Sequence, residues 1–287
     1  MTTAMNSGMK SGTTEGATPG RLAGATHALH VVRAHMRVGV MNIVQYRVDF
    51  VVATVNAAVT VIAQLTGLAV IFDNTTTLNG WEPNEMLVLI GVHTLIGGLI
   101  SMFVQPSMEA MMEGIRLGTF DFVLTKPVDA QVLASAQTVS PQAAVSVLVG
   151  LGVTVTGVVR AGAAVEPGSL VLFLPTLFAG LVIVYSFMLL LSTLAFWFVK
   201  LDNLLAIFQA LFGNAGRWPV TIFPGWMRFG LTFVVPLAFA VTIPAQTLTG
   251  RASVSGALGA MGVAVLFLVA ARGFWRVALR RYTGASA

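Results

Sequence analysis

The sequence predicts an all-α integral membrane protein, and three observations lead to that prediction. Hydrophobic residues make up 56% of the 287 residues, charged residues make up only 9%, and the mean hydropathy is +0.85. A soluble domain has about 25% charged residues. The apolar residues fall in blocks that approach or exceed the roughly 20 residues needed to cross a bilayer. Lysine and arginine flank these blocks and form no basic patch, which indicates membrane orientation and excludes a nucleic-acid partner.

The N-terminal region is predicted to consist of a tail and a helix on the membrane surface. Residues 1–25 are rich in Ser, Thr, Gly and Ala and contain no apolar run, which predicts a disordered cytosolic tail and no secretory signal. From His27 to Arg47, His30, Arg33 and Arg37 share one helical face and apolar residues share another. Such an amphipathic helix lies in the interface plane. The alternative is a soluble lead-in to the first span.

The rest of the chain is predicted to form a single transmembrane domain over residues 26–280, followed by a cytosolic tail, 281–287. Six transmembrane helices are expected, at 48–72, 84–105, 140–159, 170–198, 203–223 and 253–271. One further apolar block, Phe229–Pro244, has only 16 residues, whereas a crossing needs roughly 17–25. We therefore predict extracellular re-entrant helices at about 225–247, broken near Pro236, before the last span. The alternative is a seventh, kinked span.

The distribution of basic residues favours six spans over seven. Six spans place both termini in the cytosol and leave only four basic residues on the outer side, Arg160, Arg217, Arg228 and Arg251. The other twelve of the 16 Lys and Arg residues then face inward, as the positive-inside tendency requires. The chain is thus expected to be a multi-pass protein of the plasma membrane.

The predicted re-entrant segment carries a functional expectation. Its candidate residues are Pro224, Arg228, Pro236 and Pro244. Irregular backbone at membrane depth survives only where it packs on protein or lines a cavity, because lipid offers no hydrogen bonds. Broken helices of this kind recur where substrates pass.

Several chemistries are missing from the sequence. It contains no G-x-x-x-x-G-K-[ST], no H-E-x-x-H and no G-x-S-x-G, so we expect no ATP hydrolysis, no metal site and no enzymatic activity in this chain. No Asp or Glu falls in the middle of a predicted span, and ion-coupled carriers usually need such groups. His93 is the one histidine in a predicted span. It either makes an interhelical hydrogen bond or takes part in binding a substrate or a proton.

The stretch between the second and third predicted spans mixes charges of both signs with apolar residues such as Ile115, Leu117 and Phe122. This composition suits docking onto a partner protein, and it equally suits a loop folded onto its own helix ends. The candidate docking residues are Glu109, Glu113, Arg116, Gly118, Asp121, Leu124, Lys126 and Pro127.

The order of these features resembles the ABC type-2 exporter permeases, and in particular a six-span bacterial group. In that group the first cytosolic loop reads roughly Gly-x-x-Asp-x-x-Leu-x-Lys/Arg-Pro, which Gly118, Asp121, Leu124, Lys126 and Pro127 match in order. The segment from Pro224 onward resembles the group's outer re-entrant segment. The likeness covers about residues 26–280.

The resemblance implies a membrane subunit that pairs with a second copy or a paralogous permease. Two cytosolic ATPase subunits would bind the ATP and Mg, and this chain would bind no cofactor. By analogy, His27–Arg47 and Glu109–Pro127 form the surface that senses ATPase closure, and spans one, two and five line the path. The function expected is ATP-driven export of an amphipathic or lipid-like substrate. The alternative is an ATP-independent secondary transporter or channel, and an intramembrane enzyme is less compatible with the residues present.

Overall fold

The computed structural model describes residues 47–162, 167–198 and 202–282. Within these ranges the regular structure is helical, apart from one isolated β-bridge between Leu78 and Trp81. Five of the described helical segments are long and apolar enough to cross a membrane, and a sixth crossing is obtained if one bent helix pair counts as a span. The prediction of an all-α integral membrane protein is confirmed. The interfacial helix that we expect at His27–Arg47 lies almost entirely outside the described residues.

The described helices are numbered here in chain order. They are α1 (Arg47–Phe72), α2 (Pro83–Leu99), α3 (Gln105–Arg116), α4 (Asp121–Leu124), α5 (Ala130–Ser135), α6 (Ala144–Arg160), α7 (Pro167–Thr193), α8 (Asp202–Ala215), α9 (Gly225–Phe229), α10 (Ile243–Leu248) and α11 (Val254–Arg281). Helices α2, α7 and the segment Ala238–Leu248 supply much of the buried apolar core.

The second span continues well past the expected start of the loop at Pro106. Helix α2 runs through a π-helical turn, Ile100–Val104, directly into α3 and reaches Arg116. Proline has no amide hydrogen to donate and its ring crowds the preceding turn. Pro106 lies in the first turn of α3, and the π turn adds one residue to the helix just before it. Because the wider turn accommodates the proline ring, the helix continues. Glu109, Glu113 and Arg116 therefore lie on a helix and not in a loop.

The fifth predicted span, 203–223, is replaced by a shorter helix. Helix α8 has 14 residues and ends at Ala215, whereas a crossing helix needs roughly 17–25. Gly216 follows it, and Pro219 precedes the short 3-10 turn Val220–Ile222. Proline cannot donate the backbone hydrogen bond that would continue the helix, so composition alone overestimated its length.

The last predicted span, 253–271, is also longer in the structure. Helix α11 continues to Arg281, so Arg272, Arg276, Arg280 and Arg281 lie on helical turns and not in a tail. Basic side chains near a helix C-terminus interact favourably with its dipole. The apolar stretch that sequence reasoning measured is therefore only part of the helix.

The block expected to re-enter the membrane forms two helical segments, Gly225–Val234 and Ala238–Leu248, bent by 77° relative to each other. The bend lies at Val235–Pro236–Leu237, and Pro236 is buried there. Residues that flank the bent pair on each side contact the α1–α2 connection: Asn79 Nδ2 donates to the Thr221 carbonyl at 2.5 Å, and Arg251 Nη2 donates to the Gly80 carbonyl at 2.6 Å.

Helices α2 and α6 form the most extensively packed pair in the described part of the chain. Their glycines make this close approach possible. A Cβ built on Gly150 would lie 2.3 Å from the Leu95 backbone nitrogen, and one on Gly91 would lie 2.4 Å from that of Thr154. Small residues at membrane helix interfaces let the backbones approach.

The contacts between helices define two ends of the molecule. At one end, which we call the turn end, Asn84 Nδ2 donates to the Arg160 carbonyl at 3.0 Å, and Arg251 forms an ion pair with Glu85 at 3.0 Å. At the other, which we call the loop end, the connection between α3 and α6 meets the C-terminal ends of α7 and α11.

Candidate functional site

The connection at the loop end is held to the helix bundle by one aromatic side chain. After α3 the chain turns at Gly118, whose φ of +70° favours glycine. Phe120 follows and is only 1% exposed. Its ring packs edge-on against Phe196 and Trp275, with centroid distances of 5.6 and 6.1 Å. The connection is therefore anchored to the ends of α7 and α11.

Around this anchor, large apolar side chains point away from the protein. Phe122 is 72% exposed, and Leu117, Leu124 and Val132 are also exposed. We call these four side chains the loop-end patch. Apolar side chains concentrated on such a short connection mark a surface that contacts another protein or the membrane surface.

The charged candidates divide among several settings. Arg116 pairs with Glu113 of its own helix, with Nε to Oε2 at 2.9 Å. Asp121 lies against Tyr282, and burial, together with this carboxylate, raises the pKa of the Tyr282 hydroxyl. Lys126 and Pro127 are exposed beside Leu124. The structure thus brings Gly118, Asp121, Leu124, Lys126 and Pro127 onto one connection at the loop end.

A polar network joins this connection to the last helix. Arg272 of α11 binds the Asp129 carboxylate through both terminal nitrogens, with Nη1 2.9 Å from Oδ1, and Nη1 also donates to Gln131 Oε1 at 2.8 Å. Asp129 in turn accepts from the backbone amides of Gln131 and Val132, at the start of α5. We call this arrangement the Asp129–Arg272 clamp. Hydrogen bonding from Arg272 holds the pKa of Asp129 below its ordinary value.

The clamp extends into the bundle through α7. The Tyr185 hydroxyl accepts from Gln131 Nε2 at 3.3 Å and lies 2.8 Å from Ser135 Oγ. Through α5, the connection bearing the loop-end patch is thus linked by hydrogen bonds to both α7 and α11. A force applied to the patch would reach two long helices directly.

Glu109 belongs to a different part of the molecule from the loop-end patch. Gln105 Nε2 donates to its carboxylate at 2.9 Å, and Gln209 Nε2 of α8 approaches it at 3.5 Å. It lines a cavity of about 380 Å³ between α1, α3 and the start of α6. A second cavity, of about 240 Å³, lies between α1, α2 and α8. Glu109 is exposed on α3 beside this cavity and not on the connection that begins at Gly118, and its role in docking stays a prediction.

The remaining candidates lie elsewhere. Pro224 and Arg228 are exposed at the start of the bent pair, and Arg228 lines a cavity of about 470 Å³ with Phe229 and Thr232. Pro236 and Pro244 are buried within the bent pair. The interfacial-helix candidates lie outside the described residues; they are His30, Arg33 and Arg37.

Sequence reasoning missed Arg272 as a partner of Asp129, and it missed the polar cavity lining on α1. No spacing rule links Asp129 to Arg272, because 143 residues separate them. The lining on α1 did leave a signal: Asn56, Thr60 and Gln64 recur every four residues in an apolar helix, which places them on one face.

Comparison with known protein families gives one match. Residues 58–286 match the family model described as "ABC-2 family transporter protein". The match covers five of the expected spans in full, the loop-end connection and the bent pair. No curated protein was found to match the chain.

Proposed function

Because the chain belongs to the ABC-2 transporter family, we propose that it is the membrane permease of an ATP-driven exporter whose ATPase is a separate subunit. Permeases of this family are the membrane component of the transporter and work with an ATP-binding subunit. The ATPase would bind ATP and Mg, dock at the loop end and drive export of an amphipathic substrate across the plasma membrane. Two copies of the chain, or this chain and a paralogous permease, would form the path.

The observation that carries the proposal is the loop-end patch on a connection anchored to the bundle. Its apolar side chains offer an exposed surface to a partner, while Phe120 and the Asp129–Arg272 clamp connect that surface to α7 and α11. A docking surface that must transmit a conformational change needs both properties. Exposed aromatics at protein interfaces are frequent binding hot spots.

The contacts at the turn end support an arrangement with both termini in the cytosol. The residues just before and just after the bent pair both contact the α1–α2 connection, so the pair would enter and leave the membrane from one side. We count α8 together with the residues to Thr221 as one crossing from the loop end to the turn end, which with the five long helical segments would make six passes and would put Arg281 on the same side as the loop end.

Co-purification tests the proposal. The chain is expressed with a candidate ATP-binding-cassette ATPase of the same organism, and Phe122→Ser is compared with Phe233→Ser. Phe233 is 61% exposed but lies in the bent pair, away from the loop end, so it is a matched control. We expect Phe122→Ser to weaken ATPase binding by about 2 kcal/mol, or roughly thirtyfold, as for an interfacial aromatic hot spot. The control should bind normally.

Two outcomes would contradict the proposal. Either no ATPase remains bound to the unmodified chain, or both variants keep it equally well while each elutes as folded protein. Asp129→Asn provides a second reading, because it weakens the clamp without changing the patch. It should leave the ATPase bound but reduce the stimulation of ATP hydrolysis by the permease.

One observation favours the second candidate, an ATP-independent carrier. Glu109 is an acidic side chain beside a cavity that reaches into the bundle, as a proton-coupled carrier would require. The two functions separate in proteoliposomes. Transport that stops when ATP is removed supports the ATPase-driven mechanism, whereas transport that collapses with the proton gradient while ATP is present supports the carrier.

A further inference from the structure

The two cavities beside α1 share polar lining residues and form one space whose wall is otherwise largely apolar. The residues Thr60, Thr94, Ser101, Gln105 and Ser146 line both of them. These five hydroxyl and amide side chains come from α1, from α2 and its continuation, and from α6. The combined lining of the two cavities extends from Glu109 to His93, along about four turns of helix.

Polar atoms in this lining have no partner within the described part of the chain. His93 is 6% exposed and lines the deeper cavity; its Nε2 lies 3.1 Å from the Phe212 carbonyl, but its Nδ1 makes no hydrogen bond. Gln64 Oε1 lines the same cavity and is likewise buried without a partner. Buried polar atoms normally have a hydrogen-bond partner. These two atoms are positioned to bind a group that enters the cavity.

The charge of the lining is one-sided. Glu109 is its acidic member, and the described residues lining the two cavities include no lysine or arginine. Arg217 follows α8 and lines neither cavity. A low-dielectric cavity with a single carboxylate at its mouth attracts cations and repels anions.

We infer that this space is a binding site for the polar part of the transported compound, which is neutral or cationic and carries hydroxyl or amide groups. The inference rests on the proposed transport function and specifies its substrate class. His93 and Gln64 hydrogen-bond the buried polar group, and Glu109 excludes anions at the mouth. An anionic lipid is therefore not expected as a substrate, and the apolar tail of a neutral or cationic compound would lie against Ala53, Ala57 and Val61 of α1.

The natural absence of cysteine makes this inference directly testable. Ser101→Cys is prepared in the full-length chain in lipid nanodiscs, without the ATPase. It is reacted with methanethiosulfonates that carry a trimethylammonium, a hydroxyl or a sulfonate group, and each rate is divided by the rate with free 2-mercaptoethanol. Thr66→Cys is the control, because Thr66 is exposed on α1 and does not line either cavity.

We expect the cationic and neutral reagents to label Ser101→Cys, the cationic one about tenfold faster than the anionic one, as one nearby carboxylate predicts. Glu109→Gln in the same background should abolish that preference. Thr66→Cys should resist all three reagents if lipid covers it. Should Ser101→Cys fail to fold, Ser146→Cys on α6 samples the same space.

Competition then tests the substrate class. Octyl glucoside, a neutral polyol, should slow labelling of Ser101→Cys, whereas octyl sulfate, with the same alkyl chain, should not. Gln64→Leu should reduce the protection by octyl glucoside, and Thr66→Val should not.

Three results would overturn the inference: no labelling of either cysteine in the cavity, equal labelling by the cationic and anionic reagents, or equal protection by both octyl compounds. Because no ATPase is present, these results are independent of the co-purification experiment. If the expected labelling is observed but no ATPase binds, the proposed function is rejected while the binding site is still supported.

Discussion

The contact between α2 and α6 allows a prediction about stability to be worked out in detail, using Gly150→Ala. An alanine Cβ at this position would lie 2.3 Å from the Leu95 nitrogen and 2.7 Å from its Cα. Both atoms belong to backbone and cannot rotate away, so the two helices must separate by roughly 1 Å. A gap of about 0.5–1 Å forfeits a quarter to a half of the dispersion energy of each atom pair across an interface.

The expected cost follows from two opposing effects. Overpacking a tight interface costs about 1–3 kcal/mol, whereas replacing glycine by alanine inside a helix stabilises it by about 1 kcal/mol. Gly152→Ala, on the same helix, isolates the second effect, because nothing lies within 4 Å of its Cβ. We therefore expect Gly150→Ala to be less stable than Gly152→Ala by about 1–3 kcal/mol.

Denaturant unfolding of the full-length chain in detergent, followed by tryptophan fluorescence, measures this difference. The comparison between the two alanine variants removes most of the helix-propensity contribution, which is common to both. Equal stability of the two variants would refute the reasoning, because it would mean that the helices do not approach as closely as the glycines allow.

Other predictions concern the loop end. Phe120→Ala should destabilise the chain by about 3–5 kcal/mol, as for a buried phenylalanine, while Phe122→Ala should change stability little; thermal unfolding of the two variants distinguishes them. Arg272 lowers the pKa of Asp129, so the clamp is fully effective above the ordinary aspartate pKa of about 4 and is lost as the pH falls through the lower, folded value. The contribution is under about 1 kcal/mol, because both groups are partly exposed. Unfolding measured between about pH 2 and about pH 6, roughly two units on either side of the ordinary aspartate pKa, should show this slope for the unmodified chain and a smaller slope for Asp129→Asn; equal slopes would contradict it.

The sequence was a good guide to which segments are helical and a poor guide to where the helices end. Helix α1 ends at the expected residue, Phe72, because that end of the apolar block coincides with a change to polar residues. Helices α3 and α11 extend beyond their apolar blocks to Arg116 and Arg281. Polar residues continue a helix as readily as apolar ones once it leaves the hydrocarbon, so hydropathy does not mark these ends.

For the candidate site as well, the sequence predicted some features and not others. The run from Gly118 to Pro127 was identified from its mixed composition and its resemblance to a family loop, and it does lie on one connection at the loop end. Its link to the bundle through Asp129 and Arg272 was not predicted, and neither was the position of Glu109 beside a cavity. Both depend on side chains that are distant in sequence and meet only after the helices pack.

The amino-acid sequence by itself determined that this protein lies in a lipid bilayer, that it is helical and to which family it belongs. Each of these depends on composition or on a local run of residues. The tertiary structure alone decided that α3 continues the second span, that α8 is short and that the residues flanking the bent pair contact the same connection. It also brought Gln64, His93 and Glu109 around one space. The physical reason is that packing and interhelical hydrogen bonds join residues up to 171 positions apart, and no periodicity in the chain records which helix faces will meet.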